Sequence, residues 1–263
     1  MLGKLLKYEL KANVRIFIPL YIAILSVSII NGFSLSTELF QMQNIATFIL
    51  VGLMVALAVI TIVLIVQRFN KNLLGDEGYL MFTLPVSSRK LILSKFISSL
   101  IWSVCSVIVA MLSFMLITMI VGRGEIRISD YINIIKEFIQ IISINSFWLL
   151  LLEIAFMMFC TYSIFVFTVY LALSMGQLPI FNKFRNGASL VSFFVINVVI
   201  SSIQNSIINI VIGAKIDEYI NQYNDVFGTI SQVLPIGIIV LLITGIILFI
   251  CTSYILDKKL NLE

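Results

Sequence analysis

IATFILVGLMVALAVITIVLIV, residues 45–66, holds no charged side chain over its whole length. A helix rises about 1.5 Å per residue, so this stretch is about 33 Å long, enough to cross a hydrocarbon core of about 30 Å. Five further runs of comparable length flank it: Val14 to Phe33, Phe96 to Gly122, Phe147 to Leu173, Ala188 to Gly213 and Val233 to Leu256. Arg15 stands at the mouth of the first run, and Glu153 is the only charge well inside any of them. With 60% apolar residues and a mean hydropathy of +1.12, the 263-residue chain has too much apolar surface for a soluble domain. The expected fold is an all-α membrane protein with six transmembrane helices.

The basic residues orient it. One side of the spans carries Lys4, Lys7, Lys11, Arg15, Arg68, Lys71, Arg89, Lys90, Lys95, Lys183, Arg185, Lys258 and Lys259, thirteen in all. The other carries four, Arg123, Arg127, Lys136 and Lys215. Lys and Arg in short loops stay cytoplasmic, so both termini are expected inside. The net charge of +4 reflects this topology and does not point to nucleic acid. The first run is too long for a signal-peptide core and is expected to stay as a span. Cys105, Cys160 and Cys251 all fall in spans and are odd in number, which implies buried thiols and no disulfide framework. Residues 1–263 read as a single integral membrane domain without an appended soluble domain.

Between the spans lie two amphipathic segments. In residues 1–13, Leu2, Leu5, Leu6 and Leu10 fall on one arc of a helix and Lys4, Lys7 and Lys11 on the other, the pattern of an interfacial helix on the inner headgroup layer. Glu9 sits among the leucines, where lipid disfavours it and a protein partner would accept it. On the outer side, residues 123–144 place Tyr131, Ile132, Ile135, Phe138, Ile139 and Ile142 on one face, opposite Asp130, Asn133, Lys136, Glu137 and Gln140. That helix is too short to cross and is expected on the outer surface or over a vestibule, with Ser129 or Asp130 as its cap.

The inner loop, residues 67–95, is the most specific segment. Gly75 ends the extension of the second span, and Asp76 and Glu77 can cap a new short helix. Gly78, Tyr79, Leu80, Phe82 and Leu84 follow, giving it an apolar surface, and Pro85 stops it because proline lacks the backbone donor. Ser87 or Ser88 then starts the helix into span three. A cytoplasmic apolar helix between two hinge points is expected to dock on something, either a protein or the lipid interface.

The arrangement Asp76-Glu77-Gly78-Tyr79, Thr83-Leu84-Pro85-Val86-Ser87 and Ser94-Lys95 between spans two and three resembles bacterial permeases of the type-2 class of ATP-binding-cassette (ABC) exporters. The whole-chain topology is similar to theirs. The resemblance implies that the loop forms the coupling helix, seated in a groove of an ATPase subunit through Asp76, Glu77, Gly78, Tyr79, Leu80, Phe82, Leu84 and Pro85. This chain has no phosphate-binding Gly-Lys-Ser/Thr loop, so it is expected to be no enzyme itself and to bind no cofactor. ATP and Mg would sit on a separate nucleotide-binding ATPase subunit. Two permease halves make such a transporter, so the chain would pair with a second permease as a homo- or heterodimer.

Other chemistries are thinly supported. The absence of histidine removes His-based triads and common zinc hydrolase sites, and the dispersed cysteines suggest no metal. Two features inside the spans bear on transport. Asn197, Ser201, Asn205 and Asn209 recur every four residues along span five, with Gln204 beside them. Polar groups so placed are expected to face protein or water, either as interhelical hydrogen bonds or along a substrate path and dimer interface. Glu153 would bind a cationic group of a substrate, pair with a basic residue such as Arg123, or stay protonated and hydrogen-bonded.

The expected function is the membrane subunit of an ABC exporter in the bacterial cytoplasmic membrane, moving an amphipathic or hydrophobic cargo such as an antimicrobial peptide, lipid or drug. The alternatives are a self-contained proton-coupled secondary transporter using Glu153, and a non-transporting sensor or immunity membrane subunit.

Overall fold

The computed structural model describes residues 2–36, 40–74, 87–122, 129, 132–133, 136, 147–211 and 226–258. These residues are all-helical, with no strand among them. The long helices are α1 (Leu2–Ser36), α2 (Phe40–Phe69), α3 (Ser88–Val121), α4 (Phe147–Gly176), α5 (Arg185–Val211) and α6 (Val226–Lys258). Among the described residues six helices are long and apolar enough to cross a membrane. This is a multi-pass membrane protein.

Lipid explains why sequence periodicity is weak in these helices. The outward faces are apolar as well as the inward ones: Phe48, Val51, Val55 and Val59 on α2 are exposed, as are Met111 and Phe114 on α3. Hydroxyl side chains avoid unsatisfied exposure by bonding one turn back. Ser106 Oγ donates to the Trp102 carbonyl at 2.9 Å, Ser163 to Phe159 at 2.7 Å and Thr252 to Leu248 at 2.8 Å. Pro19 and Pro235 both lie inside continuous helices, as spans tolerate.

The chain divides into two units. The first comprises residues 1–68 and 89–140 and contains α1, most of α2 and α3. Its core joins Phe17, Ile24, Leu50, Leu57, Leu64 and Trp102. Leu50, Leu57 and Leu64 recur every seven residues, as do Phe17, Ile24 and the buried Asn31, so both α1 and α2 present heptad seams. Phe17 stacks on Trp102 with ring centroids 4.8 Å apart and planes 7° from parallel. Thr47 donates to Asn31 Oδ1 at 3.1 Å and ties α2 to α1.

Leu2–Asn13 are helical, and they run without a break into the first span, within one helix of 35 residues. At about 1.5 Å per residue α1 is about 52 Å long, so its first turns extend past a 30 Å hydrocarbon core. Of the outer amphipathic segment, Ser129, Ile132, Asn133 and Lys136 are helical and exposed; the rest lies outside the described residues.

The second unit comprises residues 69–88 and 141–263, with α4, α5 and α6. α4 packs against both α5 and α6. From Val166 to Ala172 every residue of α4 is buried, which follows from a helix apolar on all sides and enclosed by neighbours. Tyr170 stacks on Phe69 at 4.1 Å, and Phe167 meets Phe249 of α6 at 5.5 Å. α4 and α5 are joined by the short 3₁₀ helix Pro179–Phe184. The join is tight at Gly176, where a Cβ would strike Ser189 Oγ and lie 2.7 Å from the Arg185 carbonyl. Only glycine leaves that space.

Cys160 is buried and Cys105 half-buried, but Cys251 is exposed on α6. It lies on the same outward face as Ile243, Ile247 and Tyr254, so it is no interior thiol.

Candidate coupling site

Regular α2 ends at Phe69, a π turn spans Asn70–Leu74, and Leu73 and Leu74 are buried in the second unit. α3 begins at Ser88. Asp76, Glu77, Gly78, Tyr79, Leu80, Phe82, Leu84 and Pro85, assigned to ATPase docking above, lie outside the described residues.

Immediately after this loop, α3 is fastened to α1. Lys95 Nζ donates to Glu9 Oε1 at 2.7 Å, and the two side chains are only 3% and 10% exposed. One turn further, Asn13 Nδ2 donates to Ser98 Oγ at 3.4 Å. The seam continues as Tyr21 Oη with Ser106 Oγ at 2.9 Å and Ser28 Oγ with Ser113 Oγ at 2.5 Å. Because Ser28 already donates to the Ile24 carbonyl, Ser113 donates across the seam. The separation in sequence stays at 85 or 86 residues throughout. Only helices running in the same direction keep such a constant offset, so spans one and three are parallel neighbours. The seam runs about 28 Å along α1 at about 1.5 Å per residue. At its far end a Cβ on Gly32 would lie 2.9 Å from Ile120 Cβ, so the backbones approach closely there.

Interhelical bonds of this kind are worth about 0.6 kcal/mol each on average in membranes. The ion pair at the lower end is different in kind, because it is a charge pair withdrawn from water. Next to it the Asn13 Oδ1 atom is buried without a hydrogen-bond partner among the described residues. Glu9 therefore has a partner, and that partner is in its own chain. The signals in the sequence were an acid among leucines and a lysine closing the Ser94-Lys95 element; the pairing itself needs the third dimension.

The residues expected along the transport path are arranged as follows. On α5, Asn197 Nδ2 donates to the Phe193 carbonyl at 2.8 Å and Ser201 to the Asn197 carbonyl at 2.6 Å. Gln204 reaches α6, where its Nε2 donates to Thr244 Oγ1 at 3.4 Å. Ser201, Asn205 and Asn209 are exposed, and none of the most apolar window of α5 is buried within the chain. Glu153 is half-buried on α4, and its Oε2 atom is buried without a partner among the described residues. Arg123, one partner considered for it, lies outside the described residues.

Residues 75–178 match the family model described as ABC-2 family transporter protein. The resemblance to type-2 ABC permeases is thereby shown on the stretch that carried it. The match opens at Gly75, just before Asp76 and Glu77 of the inner loop, and runs through α3 and α4. It takes in Lys95, Ser98 and Glu153, and leaves Glu9, Asn13 and the α5 stripe outside. No curated protein and no solved structure matches the chain. The matched stretch covers 104 of the 263 residues, less than half of the chain.

Proposed function

We propose that this chain is the membrane-spanning half of an ABC exporter in the bacterial cytoplasmic membrane, with both termini inside. The observation that carries the reading is the ABC-2 match beginning at Gly75, on a chain with six membrane-length helices. A separate ATPase subunit holds ATP and Mg, and residues Asp76 to Pro85 dock on it. Two permeases pair along α5, where exposed Asn205 and Asn209 would be costly against lipid and are covered by the second permease or by the water-filled path. Glu153 faces the outer half of that path. The cargo is amphipathic or apolar, in keeping with the apolar span surfaces.

The test is direct. Glu77→Lys and Tyr79→Asp are introduced singly, and the permease is purified in mild detergent with its ATPase. Losing an apolar side chain from such a joint costs about 1.5–3 kcal/mol, more than tenfold in affinity. Both variants are expected to insert normally and to lose ATPase co-purification and ATP hydrolysis in liposomes. Unchanged association in both would overturn the docking role.

A further inference from the structure

We infer that the Glu9–Lys95 pair, with Asn13–Ser98 beside it, is the joint through which movement of the inner loop reaches the first span. The inference rests on the exporter reading above. Lys95 lies seven residues into α3, two turns after the helix begins at Ser88. Any displacement of the loop that precedes Ser88 therefore acts first on the stretch of α3 that holds Lys95. On that stretch the bonds to α1 are polar: Lys95 to Glu9 and Ser98 to Asn13. Higher up, the same seam is held by aromatic stacking and hydroxyl pairs around Phe17, Tyr21, Trp102 and Ser106.

The choice of a buried ion pair at this place has a physical consequence. In lipid no hydrophobic penalty opposes a shift between two helices, because acyl chains solvate an apolar side chain about as well as leucine does, and only packing resists it. A charge pair withdrawn from water resists it far more, since separating it leaves Glu9 buried without this counter-ion. Glu9 and Lys95 therefore keep α1 and α3 in register while one of them is pushed. The opposite side of the same turns is basic and exposed, with Lys4, Lys7, Lys11 and Arg15, so Glu9 is set apart from the cations around it by facing α3. Glu9 and Lys95 are positioning residues, since neither touches nucleotide.

The experiment uses the complete permease–ATPase complex in liposomes, with Cys105, Cys160 and Cys251 replaced. An environment-sensitive fluorophore is attached at Tyr8→Cys, on the exposed side of α1, and in a parallel sample at Arg89→Cys, at the exposed start of α3. ATP with vanadate is then added. In the parent both probes are expected to respond. In Lys95→Met the Arg89 probe keeps its response and the Tyr8 probe loses it, while the ATPase stays bound. The exchange Glu9→Lys with Lys95→Glu restores the Tyr8 response; a merely structural role would instead have changed both probes, or ATPase binding, in the single variant. Should Lys95→Met fail to fold, Glu9→Gln preserves the shape of the side chain and serves the same comparison. An undiminished Tyr8 response in the folded variant overturns the joint, as does a parent in which only the Arg89 probe responds. A parent that binds no ATPase overturns the exporter reading itself, and is distinguishable because it is seen before any joint variant is made.

Discussion

Replacing Lys95 by methionine removes one half of a charge pair whose side chains are 3% and 10% exposed, and the cost can be worked from the geometry. At the observed 2.7 Å, and with an effective dielectric constant of about 20, the Coulomb attraction is about 6 kcal/mol. Withdrawing the two ions from water costs several kcal/mol each, so the attraction and the desolvation nearly cancel. The intact pair is thus expected to add little net stability. Breaking it is another matter, because Glu9 then remains buried with its charge unmatched. That costs about 3–5 kcal/mol, against roughly 0–1 kcal/mol for an exposed pair. The low exposure selects the larger figure, more than a hundredfold in the folding equilibrium. Glu9→Leu should be similarly damaging, and the double variant Glu9→Leu with Lys95→Met should return close to the parent. The assay is reversible unfolding in mixed micelles on all four proteins, read as a double-mutant cycle. Single variants within about 1 kcal/mol of the parent would mean that water reaches the pair. A double variant as unstable as the two singles together would mean that the residues do not depend on each other, and the reasoning would fail.

Three further outcomes are expected. Single cysteines at Lys136 and Asp225 in a Cys-free background should react with an impermeant maleimide from outside intact cells, and those at Asn72 and Lys258 should not; the reverse pattern would invert the topology. Leucine at Asn205 or Asn209 should impair assembly or transport more than leucine at Ile203 or Ile207, and the opposite ranking would show the amides facing lipid. Gly32→Leu should force α1 from Ile120 and destabilise the first unit by about 1–3 kcal/mol, whereas Gly52→Ala, whose Cβ meets nothing within 4 Å, should be neutral or mildly stabilising; equal behaviour in thermal unfolding would refute the close approach at Gly32.

The six spans were legible in the sequence because lipid imposes a single measurable requirement, an uncharged run long enough to cross. Ile45 to Val66 meets it on length and composition alone, and the helix observed there contains the whole run. The family resemblance was legible for a related reason: the inner loop is one of the few stretches where the solvent changes, so its Asp-Glu start and proline stop stand out locally. What periodicity could not reveal is which helix touches which. In water the apolar stripe of a helix marks its buried side, but here Val55 and Leu57 are equally apolar while one is exposed and the other is buried. Small polar residues were better guides, yet their partners lie 85 residues away, and nothing local distinguishes Ser98 from the other serines of α3. The N-terminal segment shows the same limit. Its leucines and lysines read as a separate interfacial helix, whereas hydrogen bonding continues it straight into the first span. Chain composition decided that this protein lives in a membrane and where it crosses, since those depend on transfer of each segment into lipid. The parallel pairing of α1 with α3, and with it the burial of Glu9 against Lys95, was decided only by tertiary structure, because it depends on contacts between segments that share one solvent.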